Sequence, residues 1–471
     1  MPIVRRLSVL AGVLLVLSIS LGVVPLRAPI GGSHPALAAG PGLYTAGSRI
    51  LDATGREVRL TGVNWFGLET CNFAPHGLWS RSWKDLLDVV TSLGSNVIRL
   101  PYSNQLFDSS SIPNGIDFYQ NPDLKGMSGL QIMDTIISGA AERGIAVILD
   151  RHRPDCGAQS NLWYTDKVSE DKWISDWRML ARRYKGNPAV VGADLHNEPH
   201  GGATWGSGDI KTDWRLAAER AGNAILEENS DWLIIVEGID NYRGDSYWWG
   251  GNLKGVQDAP VRLKVPDRVV YSAHDYGPGV SGQSWFSASD FPRNMPKIWD
   301  EHWGYIVDKN IAPVLMGEFG GRSLGSDTEG TWQRSLFEYL RTKKINYTYW
   351  SLNPNSGDTG GVLLDDWKTL NTGKQALLSA DRAPSFISSA ALTAAPAGSS
   401  QPSPSAAASS SQPAGANLVS PAMKEQPQTS PVSPDPGRTA PASCDAGQLA
   451  GSVARGVWEV LQMVTWRLIA G

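Results

Sequence analysis

Two glutamates occupy positions suited to chemistry. Glu198 lies in His196-Asn197-Glu198-Pro199 and Glu318 in Gly317-Glu318-Phe319, and each follows a short apolar, β-rich run, Val190–Leu195 and Val314–Met316 respectively. Polar residues end other such runs: Arg99 after Val97-Ile98, Asp150-Arg151-His152 after Ile148-Leu149, Glu237 after Leu233–Val236, His274-Asp275-Tyr276 after Val269–Ala273, and Trp350 closing Asn346–Trp350. Two carboxyls converging on one surface suit cleavage of an acetal. One protonates a poor leaving group while the other meets the positive charge that develops on the anomeric carbon. Either glutamate alone would also fit a structural ion pair with Arg99 or Arg151, an explanation that weakens for two at matching positions.

Positioning these residues requires strands that share one face. With Leu60–Trp65, Val97–Pro101 and Ala146–Leu149 added to the runs above, eight β-rich segments follow one another. Most are separated by amphipathic stretches whose apolar residues recur every three to four positions: Trp83–Leu93, Leu130–Arg143, Asp171–Tyr184, Asp213–Glu228, Met295–Asp308 and Trp332–Lys343. Eight β/α repeats predict an α/β fold, a (β/α)8 TIM barrel over residues 40–380, in which right-handed crossovers bring every strand's C-terminal end to one face. A short hairpin, Arg49–Asp52 with Glu57–Leu60 around Ala53-Thr54-Gly55, precedes it. A doubly wound open sheet is the alternative, and the lack of a G-x-G-x-x-G or P-loop motif weakens it as a nucleotide binder.

Composition narrows the function classes. The 471 residues carry 42 Lys+Arg against 46 Asp+Glu, with no basic stripe to follow a phosphate backbone, so no nucleic-acid partner is expected. Three cysteines, none in a C-x-x-C pair, give no zinc site or redox motif, and neither a metal nor another cofactor is expected. The 19 tryptophans are many for this length and fall mostly between Trp65 and Trp367.

Arg5-Arg6, the uncharged run Leu7–Val24, Pro25 and Ala36-Leu37-Ala38 read as an export signal over residues 1–38, with the mature chain starting near Ala39. An uncleaved anchor is the alternative. Either places the remainder outside the cell, and after signal cleavage no stable membrane association is expected. There Cys71 and Cys156 are able to pair, leaving Cys444 over. Residues 381–443, rich in Pro, Ser and Ala and without Trp or Tyr, cannot bury a core and read as a linker. Residues 444–471 are too short for a module of their own, and read as a nonfunctional tail or as the remnant of a carbohydrate-binding module.

The motifs His196-Asn197-Glu198-Pro199, Gly317-Glu318-Phe319, Ile98-Arg99-Leu100-Pro101, His274-Asp275-Tyr276 and Tyr349-Trp350-Ser351 together resemble glycoside hydrolase family 5. Asn64-Trp65-Phe66-Gly67, Leu149-Asp150-Arg151-His152-Arg153-Pro154, Tyr247-Trp248-Trp249-Gly250-Gly251-Asn252 and Ser356-Gly357-Asp358-Thr359-Gly360-Gly361 resemble its secreted endo-β-1,4-glucanases of actinobacterial type. The resemblance runs from about Tyr44 to Leu378. It implies that Glu198 is the general acid/base and Glu318 the nucleophile of a retaining mechanism, with carboxyls ~5 to 5.5 Å apart. It further implies that Asn197 binds the 2-hydroxyl of the reacting sugar, that Arg99 and Tyr276 orient Glu318, and that His152 and His274 line the −1 subsite. Trp79, Tyr119, Trp248, Trp249 and Trp350 become stacking platforms for the apolar faces of a β-glucan, with Trp350 beneath the −1 sugar. Trp173, Trp177, Trp214, Trp299, Trp303 and Trp332, at helical spacing, belong to the core. The Cys71–Cys156 pair fits the family pattern, whereas Thr204-Trp205-Gly206-Ser207-Gly208 has no cysteine where relatives can carry a short-range cystine, which leaves that loop's shape open.

The expected protein is thus a secreted, monomeric endoglucanase acting on cellulose or related β-glucan. Another family 5 specificity, for mannan, xyloglucan or mixed-linkage glucan, is the main alternative, because substrate choice lies in loop contacts. A noncatalytic carbohydrate-binding barrel would bind through the same tryptophans, and the presence of both glutamates argues against it; a surface adhesin with the linker as its stalk would need an uncleaved N-terminus.

Overall fold

The computed structural model describes residues 42–387, so the export segment, most of the linker and the tail lie outside the described residues. Eight parallel strands close into a barrel: Thr61–Asn64, Val97–Ser103, Ala146–Arg153, Val190–Asp194, Leu233–Glu237, Val269–His274, Val314–Glu318 and Asn346–Tyr349. The expected TIM barrel is present.

Side chains two apart on a strand share a face. That period sorts the barrel interior into layers. At the N-terminal ends the inward positions are apolar: Val97, Ala146, Ile148, Leu233, Ile235, Val270 and Leu315 form one buried cluster. One or two inward positions later the same strands present Arg99, Asp150, Glu237 and His274, all fully buried. Apolar packing therefore holds the lower barrel, and the polar layer sits at the C-terminal mouth. The second and third strands run further than expected, pairing Pro101 with Asp150, Tyr102 with Arg151 and Ser103 with Arg153. Asp150-Arg151-His152 thus lies within a strand. The apolar signal stopped there because the side chains change to polar, while the backbone ladder continues.

Helices Trp83–Ser92, Gly129–Glu142, Glu170–Arg183, Trp214–Glu228 and Thr328–Thr342 cover the strands, with a shorter one at Thr372–Ser379. Local chemistry starts them: Ser82, Ser169 and Asp327 accept first-turn amides, and Ser128 with Gln131 forms a reciprocal capping box. The expected helix over Met295–Asp308 has a π-helical turn at Asp300–Gly304 between two short α-segments. Trp173, Trp177, Trp214, Trp299, Trp303 and Trp332 are all fully buried between helices and barrel, as their spacing predicted. No helix among the described residues is long and apolar enough to cross a membrane.

The fifth crossover differs from the others. Between Glu237 and Val269 the chain makes a two-stranded ribbon, Asn241–Tyr242 with Asp245–Ser246, and a 3-10 turn, Lys254–Gln257, in place of an α-helix. This excursion carries Trp248, Trp249 and Gly250. At the barrel floor the expected hairpin is part of a three-stranded sheet, Tyr44–Ala46, Arg49–Leu51 and Glu57–Val58. Ile50 and Val58 close the lower apolar cluster.

The ordered contacts do not stop at residue 380. Asp381 accepts a bond from Arg59 Nη1 at 2.6 Å, and its carbonyl accepts from the Tyr347 hydroxyl at 2.6 Å. Pro384 O accepts from Asn96, Ser385 bonds Gly144 O, and Phe386 and Ile387 pack on the lower cluster. The first seven residues assigned to the linker by composition therefore lie along the barrel floor; polar and proline content hid two apolar side chains that find a partner there.

Candidate active site

Arg99, fully buried at the second strand, is the hub of the mouth. Its guanidinium lies 3.1 Å from Asp150, 2.8 Å from Asp194, 3.1 Å from Glu237 and 2.6 Å from Glu318, and also donates to Asn64 and Asn197. Burial alone would lower its basicity; the surrounding carboxylates raise it well above the ordinary value. Four acids cannot all be ionised around one buried cation without unbalanced charge. Accordingly burial pushes Asp150 and Asp194 up to about 7, and raises Glu237 well above the ordinary carboxyl value. Asp150, Asp194 and Glu237 have ligand atoms close enough to hold a metal, but the Arg99 guanidinium already fills the space among them.

Glu318 ends the seventh strand. Its Oε1 accepts from Arg99 at 2.6 Å and its Oε2 from the Tyr276 hydroxyl at 2.7 Å. A cation and a donated hydrogen bond thus fix both carboxylate oxygens. Glu198 follows the fourth strand in the left-handed region, φ +51°, a conformation costing a non-glycine residue about 1–3 kcal/mol. Its N–H donates to Glu237 at 2.7 Å, and its carbonyl accepts from His200 Nδ1 at 2.6 Å. Burial pushes the Glu198 carboxyl up to about 7. One oxygen of Glu198, one of Glu318 and a nitrogen of His274 all lie within 4.8 Å of one another.

His274 Nδ1 is 3.0 Å from Glu198 and 3.7 Å from Glu318, so the imidazole bridges the two carboxyls; burial holds it neutral, down to about 3. His152 bonds Asp150 at 2.7 Å and is also kept neutral by burial, down to about 4. Asn197 is fully buried, with Oδ1 taken by Arg99 and Nδ2 without a protein partner. That leaves a donor for an incoming hydroxyl.

Aromatic side chains line the two ends. Trp350 is layered parallel to both Phe66, at 5.3 Å, and His152, at 5.5 Å. Trp79 is 40% exposed and leans on His76 and Trp367. On the Glu198 side, Trp249 is 44% exposed and stacks on His200, whereas Trp248 is 7% exposed and meets Tyr276 edge to face. Of the adjacent pair, Trp249 has the open face. Tyr119 is almost wholly exposed, on a loop held to Leu78 through Asp117, and stacks on no other ring among the described residues.

The structure therefore gathers Arg99, His152, Asn197, Glu198, His274, Tyr276, Glu318 and Trp350 at one mouth. It also bonds Cys71 to Cys156. Sequence reading missed Asp194, which follows Gly192-Ala193 without a motif, and His200, whose partner Trp249 lies on a different crossover. Glu237 was noticed as polar but given no role. The loop left open at Thr204–Gly208 is tied by Asp213, which accepts from the N–H groups of Gly206 at 3.0 Å and Gly208 at 2.8 Å and also caps the following helix. A buried carboxylate fastens that loop from within.

The chain is similar to known proteins. The family model for Cellulase (glycosyl hydrolase family 5) matches residues 51–356. An endoglucanase of Paenibacillus polymyxa is 62% identical over 339 residues, covering 71% of this chain and 85% of that protein. The major extracellular endoglucanase of Xanthomonas campestris pv. campestris is 46% identical over 352 residues, covering 73% and 72%. Among solved structures, the catalytic domain of the major Xanthomonas campestris pv. campestris endoglucanase matches with a TM-score of 0.68 at 46% identity, over 71% of this chain and 98% of that one. An endocellulase from Pyrococcus horikoshii in complex with cellotetraose matches with a TM-score of 0.69 at 42% identity, over 73% and 99%. With the family match spanning the barrel from below its first strand to past its eighth, and relatives well above 30% identity over most of their length, the chain belongs to glycoside hydrolase family 5, the cellulase family.

Proposed function

We propose that this protein is an exported endo-β-1,4-glucanase that hydrolyses internal bonds of cellulose or related β-glucans by retaining double displacement. The observation that carries the reading is the pair of unlike carboxyls within 4.8 Å: Glu318 gripped by Arg99 and Tyr276, and Glu198 raised by burial to about 7. Inverting enzymes hold their carboxyls further apart, to admit a water between carboxylate and sugar.

In this reading Glu318 attacks the anomeric carbon while Glu198 gives its proton to the leaving oxygen; Glu198, now a carboxylate, then takes a proton from the water that releases the sugar. The free Nδ2 of Asn197 donates to the 2-hydroxyl, a bond that strengthens as charge develops. Trp350 carries the −1 sugar, Trp79 the chain beyond it, and Trp249 the leaving-group side; Tyr119 extends the row at the rim. His152 and His274, both neutral, orient hydroxyls and the two carboxyls without adding charge. Relatives named endoglucanase, one of them extracellular, support both the substrate class and export. Residues 40 to about 387 form the catalytic unit, acting as a monomer.

The test is viscometry of a soluble cellulose derivative beside a reducing-end assay. Wild type is expected to drop viscosity steeply for few ends released, and Glu198→Gln to do neither. A faster rate on mannan or xyloglucan than on cellulose derivative would overturn the substrate assignment.

A further inference from the structure

Glu237 ends the fifth strand, is fully buried and faces no open part of the cleft. Its Oε2 accepts the main-chain N–H of Glu198 at 2.7 Å. Its Oε1 accepts from Arg99 Nη2 at 3.1 Å and lies 3.4 Å from His274 Nε2. One carboxyl thus touches the backbone of the proposed acid/base, the imidazole between the two carboxyls and the guanidinium that grips Glu318. Glu198 needs such an anchor, because its φ of +51° is unfavourable for a residue with a side chain. Gly250 points the same way. A Cβ there would come within 2.4 Å of Glu237 Oε2 and 3.3 Å of Glu198 Cα, so the Trp249 loop omits a side chain where Glu237 holds Glu198.

We propose that Glu237 is the positioning residue for the acid/base, fixing the left-handed turn at Glu198 through its main-chain N–H and so aiming the Glu198 carboxyl at the leaving oxygen. This inference rests on the assignment of Glu198 as acid/base. The groups that face Glu237 are Arg99 from the second strand, Asp150 from the third, Asp194 and Glu198 from the fourth and His274 from the sixth. Burial, with the neighbouring acids Asp194 and Asp150, pushes the Glu237 carboxyl well above its ordinary value, towards the neutral form. A carboxyl in that state still offers its carbonyl oxygen to the Glu198 N–H, as an amide would.

The experiment compares two substrates. Cellopentaose has a leaving alcohol that needs a proton; 2,4-dinitrophenyl cellobioside does not. Glu237→Ala is expected to lower kcat on cellopentaose by about tenfold to a hundredfold while changing the pre-steady-state burst rate with the aryl cellobioside by less than about threefold. Glu237→Gln, which keeps an acceptor oxygen, is expected to restore cellopentaose turnover to within about fivefold of wild type. Should Glu237→Ala fail to fold, Gly250→Ala crowds the same carboxyl and is expected to show the same split between substrates. Parallel losses on both substrates, no loss on either, or no rescue by Gln would overturn the inference. Glu198→Ala on the same pair separates the two levels: if it lacks the split, the acid/base assignment fails and takes this inference with it.

Discussion

The imidazole of His200 lies flat on the indole of Trp249, ring centroids 3.7 Å apart and planes within 4°, while its Nδ1 donates to the carbonyl of Glu198. The Trp249 indole and the turn that carries Glu198 are therefore one packed unit. Truncating the platform and truncating its support should differ. Trp249→Ala is expected to raise KM for cellopentaose about tenfold with little change in kcat, since stacking contributes to ground state and transition state alike. His200→Ala is expected to lower kcat as well, because Glu198 loses the donor on its carbonyl. Equal effects on KM and kcat from both variants would disprove the linkage.

The division of labour between the carboxyls is expected to show in rescue by azide. With Glu198→Ala, azide replaces the deglycosylating water and gives a β-glycosyl azide. With Glu318→Ala, azide attacks the β-substrate directly and gives the α-product. Nuclear magnetic resonance of the products distinguishes them, and the opposite pairing would mean the two roles are exchanged.

Burial of Glu198 is expected to set the alkaline side of the pH profile. A carboxyl raised to about 7 keeps its proton below that pH and loses it above, so kcat/KM on glucan is expected to fall tenfold per pH unit beyond about 7. Because His274 is neutral down to about 3, it contributes no charge change in that range. In Glu198→Ala, assayed on the aryl cellobioside, this limb should vanish; a limb that persists unchanged would assign it to another group.

Truncation is expected to separate folding from chemistry. A chain ending at residue 387 should match the full chain in activity and thermal midpoint. One ending at residue 380 loses the Arg59–Asp381 and Tyr347–Asp381 bonds and uncovers the lower cluster beneath Phe386 and Ile387. It should melt several degrees lower, for a loss of about 2–4 kcal/mol, with kcat on soluble substrate unchanged. A matching midpoint for both would show that the floor contacts contribute nothing.

Much of the barrel was legible because its lower layer is apolar and its strands are short: Val97, Leu233, Val270 and Leu315 belong to continuous apolar, β-rich runs, as expected of parallel strands buried on both faces. The paired glutamates were legible for the complementary reason, since each interrupts such a run with a group that packing does not require. What stayed hidden is long-range. Asp194 sits among small residues and acquires meaning only from Arg99 on another strand. Glu237 reads as one more polar strand end until its oxygen is seen on the Glu198 N–H. Trp248 and Trp249 are neighbours of one type, and only the fold distinguishes the open ring of Trp249 from the buried one of Trp248. The floor segment 381–387 was lost in a composition average, where Phe386 and Ile387 carry little weight against the prolines and serines that follow.

Leu43 and Phe386 belong to the same floor cluster, so both ends of the described chain leave the barrel on the face opposite the cleft. In a chain trimmed to residues 42–387, anything attached through either end, whether a bead, an electrode or a fused partner, holds the enzyme by its underside and turns the mouth outward. A long, insoluble polymer can then thread past without meeting the support, and immobilisation through a terminus should retain far more turnover on polymeric substrate than coupling through random surface lysines.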